Sequence, residues 1–418
     1  MGPITLFDKS FLQSLNVDES VWFDHFFLTN VCPIFYVETL ADLSKVVREG
    51  RKPEEEVAYI ANKFPEMHGS PNAHHTNLCI SNLMGHSVPM TTGQIPLSGG
   101  RLVKSGGKSG VVYEQSPESE AFSRWHKQQF LEIERLYAHG WREALQTLDL
   151  KELASNFRTL GVDGRSCKTL EEAKALAVSI VSGRDKPFDR MKLAILFLHI
   201  PRELHREILE RWSIVNYPPL IEYAPYVAHV LTIELFFQIA LAANLISSER
   251  PSNRTDIAYL FYLPFCMAFL SSDKLHRRCA PLFLRHDQQF IWGPELKDDL
   301  TKINSLYLSL SEAERERGVM SFAGYPPKEG DFLVSRIWDR HFQNWRGRKH
   351  VDISETKIDN SKLVEEINKM KVAPALLPEE VDFDPSSPES VTLQRVVRRK
   401  KGSWYQVPKD LKDTDDHK

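Results

Sequence analysis

Short apolar runs that end on an acid recur along the chain: PITLFD at 3–8, CPIFYVE at 32–38 and MAFLSSD at 267–273. A run of this length reads as a strand buried on both faces, as in the interior of a parallel sheet. QQFIWG at 288–293 adds a fourth such run without the acid. Helical stretches separate them: Phe11–Leu15, Val21–Leu28, a helix opened by Glu38 across 38–50, DIAYLFYLPF at 256–265, KLHRRCAPLFL at 274–284 and PELKDDLTKINSLYLSL at 294–310. The expected fold class is α/β, with a parallel sheet between helical layers.

This alternation defines a domain over 1–310, interrupted by an insertion at about 65–215. Residues 65–115 are rich in Gly, Pro, Ser and His and read as loops with one hairpin. Residues 117–215 are helical, with Thr169 and Glu172 spaced as a capping box. Residues 226–246 have nearly the length of a membrane span but carry His229, Glu234, Gln238 and Asn244, so a buried core helix is expected and no membrane contact. Residues 311–374 form a charged, helical accessory segment. Residues 375–418 carry charge blocks, Pro and Ser with few large apolar side chains, and read as a mostly disordered tail. Five widely spaced cysteines without a CxxC pair point to a reduced, cytoplasmic protein. The start of the chain has neither a basic-then-apolar leader nor a myristoylation pattern.

In parallel sheets, functional groups collect at the carboxyl ends of strands. Asp8, Glu38 and Asp273 would meet there if their strands are neighbours, with Asp256 opening the preceding helix and Asp42 one turn beyond Glu38. Carboxylates this close repel unless a cation neutralises them, and an all-oxygen donor set suits Mg²⁺ or Mn²⁺. Such a site serves hydrolysis of phosphodiesters. Lys274, His276, Arg277 and Arg278 follow the last acid directly and would face a phosphate backbone or form a solvated helix face. The net charge of −3 leaves no global positive field, so nucleic-acid binding must rest on local patches of this kind.

In their order along the chain these segments resemble a PIN-like domain, the metal-dependent nuclease fold. ITLFDKSFLQSL resembles its first strand, with an aspartate and a hydroxyl two residues on (Asp8, Ser10). PIFYVETLADL resembles its second strand and glutamate (Glu38). TDIAYLFYLPFCMAFLSSDK resembles its third aspartate (Asp256), small helix and closing strand with Ser271 and Asp273. The likeness covers about residues 1–48 and 216–300. It implies bound Mg²⁺ or Mn²⁺ on Asp8, Glu38, Asp256 and Asp273, and hydrolysis of RNA. Ser10 and Ser271 would hydrogen-bond the carboxylates or water, and Lys274 and Arg277 would hold the phosphate. The long insertion departs from a compact PIN-like domain, and Met267 stands where many members carry a further acid.

Other motifs divide differently. His68, His74, His75 and His86 match no zinc spacing and read as a histidine-bearing loop. KSGGKSG at 104–110 lacks the first glycine of a phosphate-binding loop, since Leu102 stands there. VVRRKK at 396–401 reads as a linker charge block. RIWDRHFQNWRGRKH at 336–350 either stacks single-stranded nucleic acid or packs as an amphipathic helix. No GxSxG or strand-linked GxGxxG is present. The expected function is a metal-dependent endonuclease acting on RNA, subject to a regulatory protein partner. The alternative is a non-catalytic α/β interaction or scaffold protein whose acids are helix caps.

Overall fold

A computed structural model describes residues 2–45, 50, 52–97, 99–113, 116–152, 166–348, 361–376 and 397–410. Five strands, β1 (Ile4–Phe7), β2 (Leu28–Val31), β3 (Gly69–Pro71), β6 (Ala268–Ser271) and β7 (Gln289–Trp292), form one sheet in the order β3-β2-β1-β6-β7. All four pairings are parallel. β1 is buried at every position because it lies at the centre. The chain moves outward from β1 through β2 to β3, then crosses back to β6 and continues to β7. The order therefore reverses between β1 and β6, which opens a crevice at the carboxyl ends of these two strands. β4 (Arg101–Ser105) and β5 (Lys108–Val112) form a separate hairpin with Gly106 and Gly107 at positive φ in its turn. The KSGGKSG segment is that hairpin, as the glycine pair allows.

The expected strand at 32–37 is not one. β2 precedes it, and residues Pro33–Leu40 are a helix with proline at its first turn, where a missing N–H costs nothing. A short apolar run has no period long enough to separate the two. Glu38 thus ends a helix rather than opening one, and Ala41–Ser44 follow as a 3₁₀ turn. Gly69–Pro71, expected within a loop, is the edge strand of the main sheet, and His75–Leu83 is a helix. The insertion consequently begins after residue 71.

The helices before the hairpin are α1 (Lys9–Ser14), α2 (Val17–Phe26), α3 (Pro33–Leu40), α4 (Pro53–Lys63) and α5 (His75–Leu83). Between the hairpin and β6 come α6 (Pro117–Trp125), α7 (Glu132–Thr147), α8 (Leu170–Ser182), α9 (Pro187–Phe197), α10 (Arg202–Ile214), α11 (Leu220–Tyr223) and α12 (Pro225–Ala242). The Thr169 hydroxyl accepts from the Glu172 N–H, but Glu172 reaches back to the N–H of Lys168 rather than of Thr169. α13 (Asn253–Ala258), α14 (Lys274–Phe283) and α15 (Gly293–Leu308) flank the last two strands.

α12 is apolar on all sides and is long and apolar enough to cross a membrane, yet fifteen of its residues are buried inside the protein. Two of its polar side chains are paired there. Glu234 pairs with Arg254 at 2.5 Å, and His229 Nε2 lies 3.1 Å from the Leu260 carbonyl.

Residues 397–410, within the expected disordered tail, fold back onto the domain. Arg398 bonds to Glu66 and Asn62, buried Lys401 donates to the Phe64 carbonyl, and buried Trp404 packs edge-on against Trp22 at 4.7 Å. Apolar Trp404 and two satisfied cations offset the ordering entropy of this strap. Leu376, described together with Ala375, donates its N–H to the Leu102 carbonyl, and the other residues of the tail lie outside the described ones. Trp338 and Trp345 are buried, so 336–348 packs as an amphipathic segment around the helix Leu333–His341.

Trp404→Ala removes a fully buried indole from this cluster and should cost about 3–5 kcal/mol. Urea denaturation by circular dichroism measures it; an unchanged midpoint would show that the strap adds no stability. Burial pushes the pKa of His229 down to about 4 and that of His75 down to about 3. Unfolded histidines titrate near 6.5, so the unfolded state binds protons first as pH falls. The contribution of these two rings is constant above about pH 6.5 and becomes increasingly destabilising as pH falls toward about 4. The difference in urea midpoint between His229→Leu and wild type should therefore shift in favour of the variant between about pH 7 and pH 5; a difference that does not change with pH would show that His229 is not held neutral.

Candidate active site at the carboxyl edge of the sheet

Asp8 is the first residue beyond β1, and its N–H donates to the Leu270 carbonyl of β6. Its backbone is extended and it caps α1, with Oδ1 accepting from the Phe11 N–H at 2.9 Å. Oδ2 accepts from the hydroxyls of Ser10 (2.6 Å) and Ser271 (2.8 Å). The two serines the sequence placed beside a carboxylate therefore both hold Asp8. Ser10 Oγ also accepts from the Ser272 N–H, joining α1 to the loop after β6.

His276 is enclosed completely. Its Nε2 lies 2.6 Å from the Asp256 carbonyl, which can only accept. Its Nδ1 lies 2.8 Å from Ser271 Oγ and 3.3 Å from Asp8 Oδ2. Ser271 gives its single proton to Asp8, so Nδ1 must also donate. Both ring nitrogens are then protonated. Burial opposes that charge, but the hydrogen bond and charge of Asp8, with the charge of Asp256, raise the His276 pKa to about 9. Sequence reading placed His276 among the phosphate-facing cations. Instead it is the internal counter-charge of the acids, sharing the inner face of α14 with Leu275, Cys279 and Ala280.

Asp273 caps α14, its Oδ1 accepting from the Leu275 N–H at 2.5 Å. Its own N–H donates to Ser271 Oγ. Glu38 accepts from the Tyr259 hydroxyl at 2.6 Å, and Lys9 ties α1 to both the Glu38 carbonyl and Asp42. Asp42 is thus engaged with Lys9 and stands behind the site. Asp256, expected to open its helix, does not: α13 begins at Asn253 and Asp256 lies in its first turn.

The four acids sense one another. Crowding by surrounding atoms is the main cause that raises the Asp256 pKa to about 7; His276 opposes it, and the charges of Glu38, Asp273 and Asp8 add to it. Burial likewise raises Glu38, countered by Lys9 and Tyr259 and reinforced by Asp8 and Asp42. All-oxygen donors under mutual repulsion are chemically suited to a hard divalent cation. Among the described residues, however, no group of three or more His, Cys, Asp or Glu side chains converges to hold an ion. A cation entering here competes with the donors that hold these oxygens now: Ser10, Ser271, His276 and Tyr259.

Lys274 and Arg277 are exposed on α14 beside this edge. The Arg277 guanidinium lies 4.8 Å over the ring of Trp292. Gly293 starts α15 tight against Ser272 and Phe11, where a Cβ has no room. The histidines of 68–86 stand apart in other roles: His68 bonds to Asp24, His74 caps α5, and His75 meets the Tyr262 hydroxyl. Compared with protein-family models, curated proteins and solved structures, the chain matches none.

A folded-state pKa raised above 6.5 stabilises fully below that value, and the contribution is lost as pH rises through about 9. In the metal-free protein, the His276 ring should therefore titrate near pH 9 by nitrogen-resolved NMR. A midpoint near the ordinary 6.5 would remove the ion pair from this site.

Proposed function

We propose that the protein is a metal-dependent nuclease that hydrolyses phosphodiester bonds, with RNA as its substrate. One observation carries this reading. Asp8 and Asp273 follow the two strands between which the sheet order reverses, and the charges of Glu38, Asp273 and Asp8 lie close enough to Asp256 to add to the rise of its pKa. A PIN-like assignment of the fold belongs to the same proposal and is supported by the strand order and the placement of the acids.

Asp8, Glu38, Asp256 and Asp273 would hold Mg²⁺ or Mn²⁺. When bound, such a cation supplies charge neutralisation and an acidified water. Ser10 and Ser271 orient Asp8 through the bonds they already make. Lys274 and Arg277, exposed beside Asp273, would hold the phosphate and offset charge that develops in the transition state. His276 balances part of the negative charge on the inner side of the site.

A second reading has its own support. Asp8 and Asp273 both cap helices, and that use alone would suffice in a non-catalytic scaffold.

The two separate in one experiment. Wild type and the Asp8→Asn, Asp273→Asn double variant are incubated with labelled RNA and DNA in Mg²⁺, Mn²⁺ or EDTA, and Mn²⁺ binding is measured by calorimetry. The nuclease reading expects metal-dependent cleavage of RNA by wild type only, with Mn²⁺ binding lost in a variant that retains its circular dichroism spectrum. Wild type that neither binds Mn²⁺ nor cleaves leaves the scaffold reading standing.

A further inference from the structure

We infer that Trp292 and Arg277 form a stacking platform for an unpaired nucleobase of a single strand, beside the acid cluster. The inference rests on the nuclease reading for its place in a reaction, but its own support is geometric.

Trp292 ends β7 and is in register with Ser271 of β6, the residue whose hydroxyl donates to Asp8. Neighbouring strands lie about 4.8 Å apart, so the backbone of Trp292 stands roughly 10 Å from that of Asp8, on the same level of the sheet. Asp8, Ser271 and Trp292 thus form a row across three adjacent strands.

Trp292 differs from the buried tryptophans in its surroundings. Trp22, Trp212, Trp338, Trp345 and Trp404 each donate the indole N–H to an internal acceptor, and Trp125 is buried against Phe122 and Phe130. Trp292 is only partly buried, and the Arg277 guanidinium lies 4.8 Å over its ring, the one ring contact it makes among the described residues. Arg277 and Lys274 are exposed and form no ion pair with a carboxylate among the described residues.

An aromatic plane, a stacked guanidinium and an uncompensated ammonium are what a single strand needs. Every base has a π face, and the cations track its backbone. Bases within a duplex are already stacked and paired, so this surface favours unpaired strands. The platform therefore places a base to one side of the phosphate that the acids would face.

The test uses the Asp8→Asn protein, to prevent cleavage, and a fluorescein-labelled oligouridine of about 12 nucleotides, within the usual site size of such grooves. Binding is read by anisotropy for this strand, its DNA counterpart, its abasic analogue and a duplex. Trp292→Ala should weaken binding of the RNA strand roughly 5- to 150-fold, the range expected for one stacked base. Trp292→Phe should restore most of it, and the abasic strand should bind both proteins equally weakly. Equal loss on the DNA strand assigns the platform to single strands in general; loss on RNA alone assigns it to RNA. Equal binding of the base-bearing strand by Trp292→Ala and its parent overturns the proposal. Repeating the comparison in the wild-type background with EDTA guards against misfolding caused by Asp8→Asn. Trp292-dependent binding without metal-dependent cleavage by wild type would keep the platform and sink the nuclease reading. Cleavage that is indifferent to Trp292 would do the reverse.

Discussion

The hydrogen bonds that converge on Asp8 hold together every element around the crevice. One carboxylate accepts from the N-terminal turn of α1, from Ser10 and from Ser271 at the end of β6. Through Ser271 the same network reaches the N–H of Asp273 and the ring of His276, and through His276 it reaches the carbonyl of Asp256. Two strand ends and three helix starts are thereby tied to a single buried charge. Burying such a charge is costly unless it is paired and fully hydrogen-bonded, and both conditions are met here.

The balance of that network explains the character of the site. His276 supplies one positive charge to a region with four acids, so repulsion persists among the outer carboxylates. Glu38 and Asp256 are shifted toward protonation, while Lys9 is drawn between the Glu38 carbonyl and Asp42. Acids gather at the end of a parallel sheet, next to exposed cations on α14. This arrangement gives the nuclease reading its physical content, and it separates this edge from the histidine-bearing segment, whose rings are engaged individually.

Stability is organised elsewhere. α12 is buried among α5, α8, α9 and α11, with its internal charge matched by Arg254. Trp22 gathers Phe26, Tyr307 and Trp404 into one aromatic cluster, closed by the strap at 397–410. Segments remote in sequence are therefore needed to complete the cores on which the β1–β6 edge rests.

By itself the sequence determined the α/β class and three of the parallel strands, because a short apolar run is a local signal, closed by an acid in two of the three. ITLFD and MAFLSSD each carry strand, turn and cap within a few residues, so Asp8, Ser10, Ser271 and Asp273 were legible. The run at 32–37 was not: its apolar length suits a strand or a helix, and only the pairing of 28–31 with β1 decides that Pro33 starts a helix. GSP at 69–71 has no strand composition at all and is a strand only because β2 offers it a free edge. The role of His276 depends on Asp8 and Asp256 lying to either side of it, and that of Trp292 on its register with Ser271. Trp404 is buried because a distant cluster around Trp22 leaves room for an indole. Each of these follows from partners far away along the chain, and burial and pairing with such partners exist only once the tertiary structure has formed.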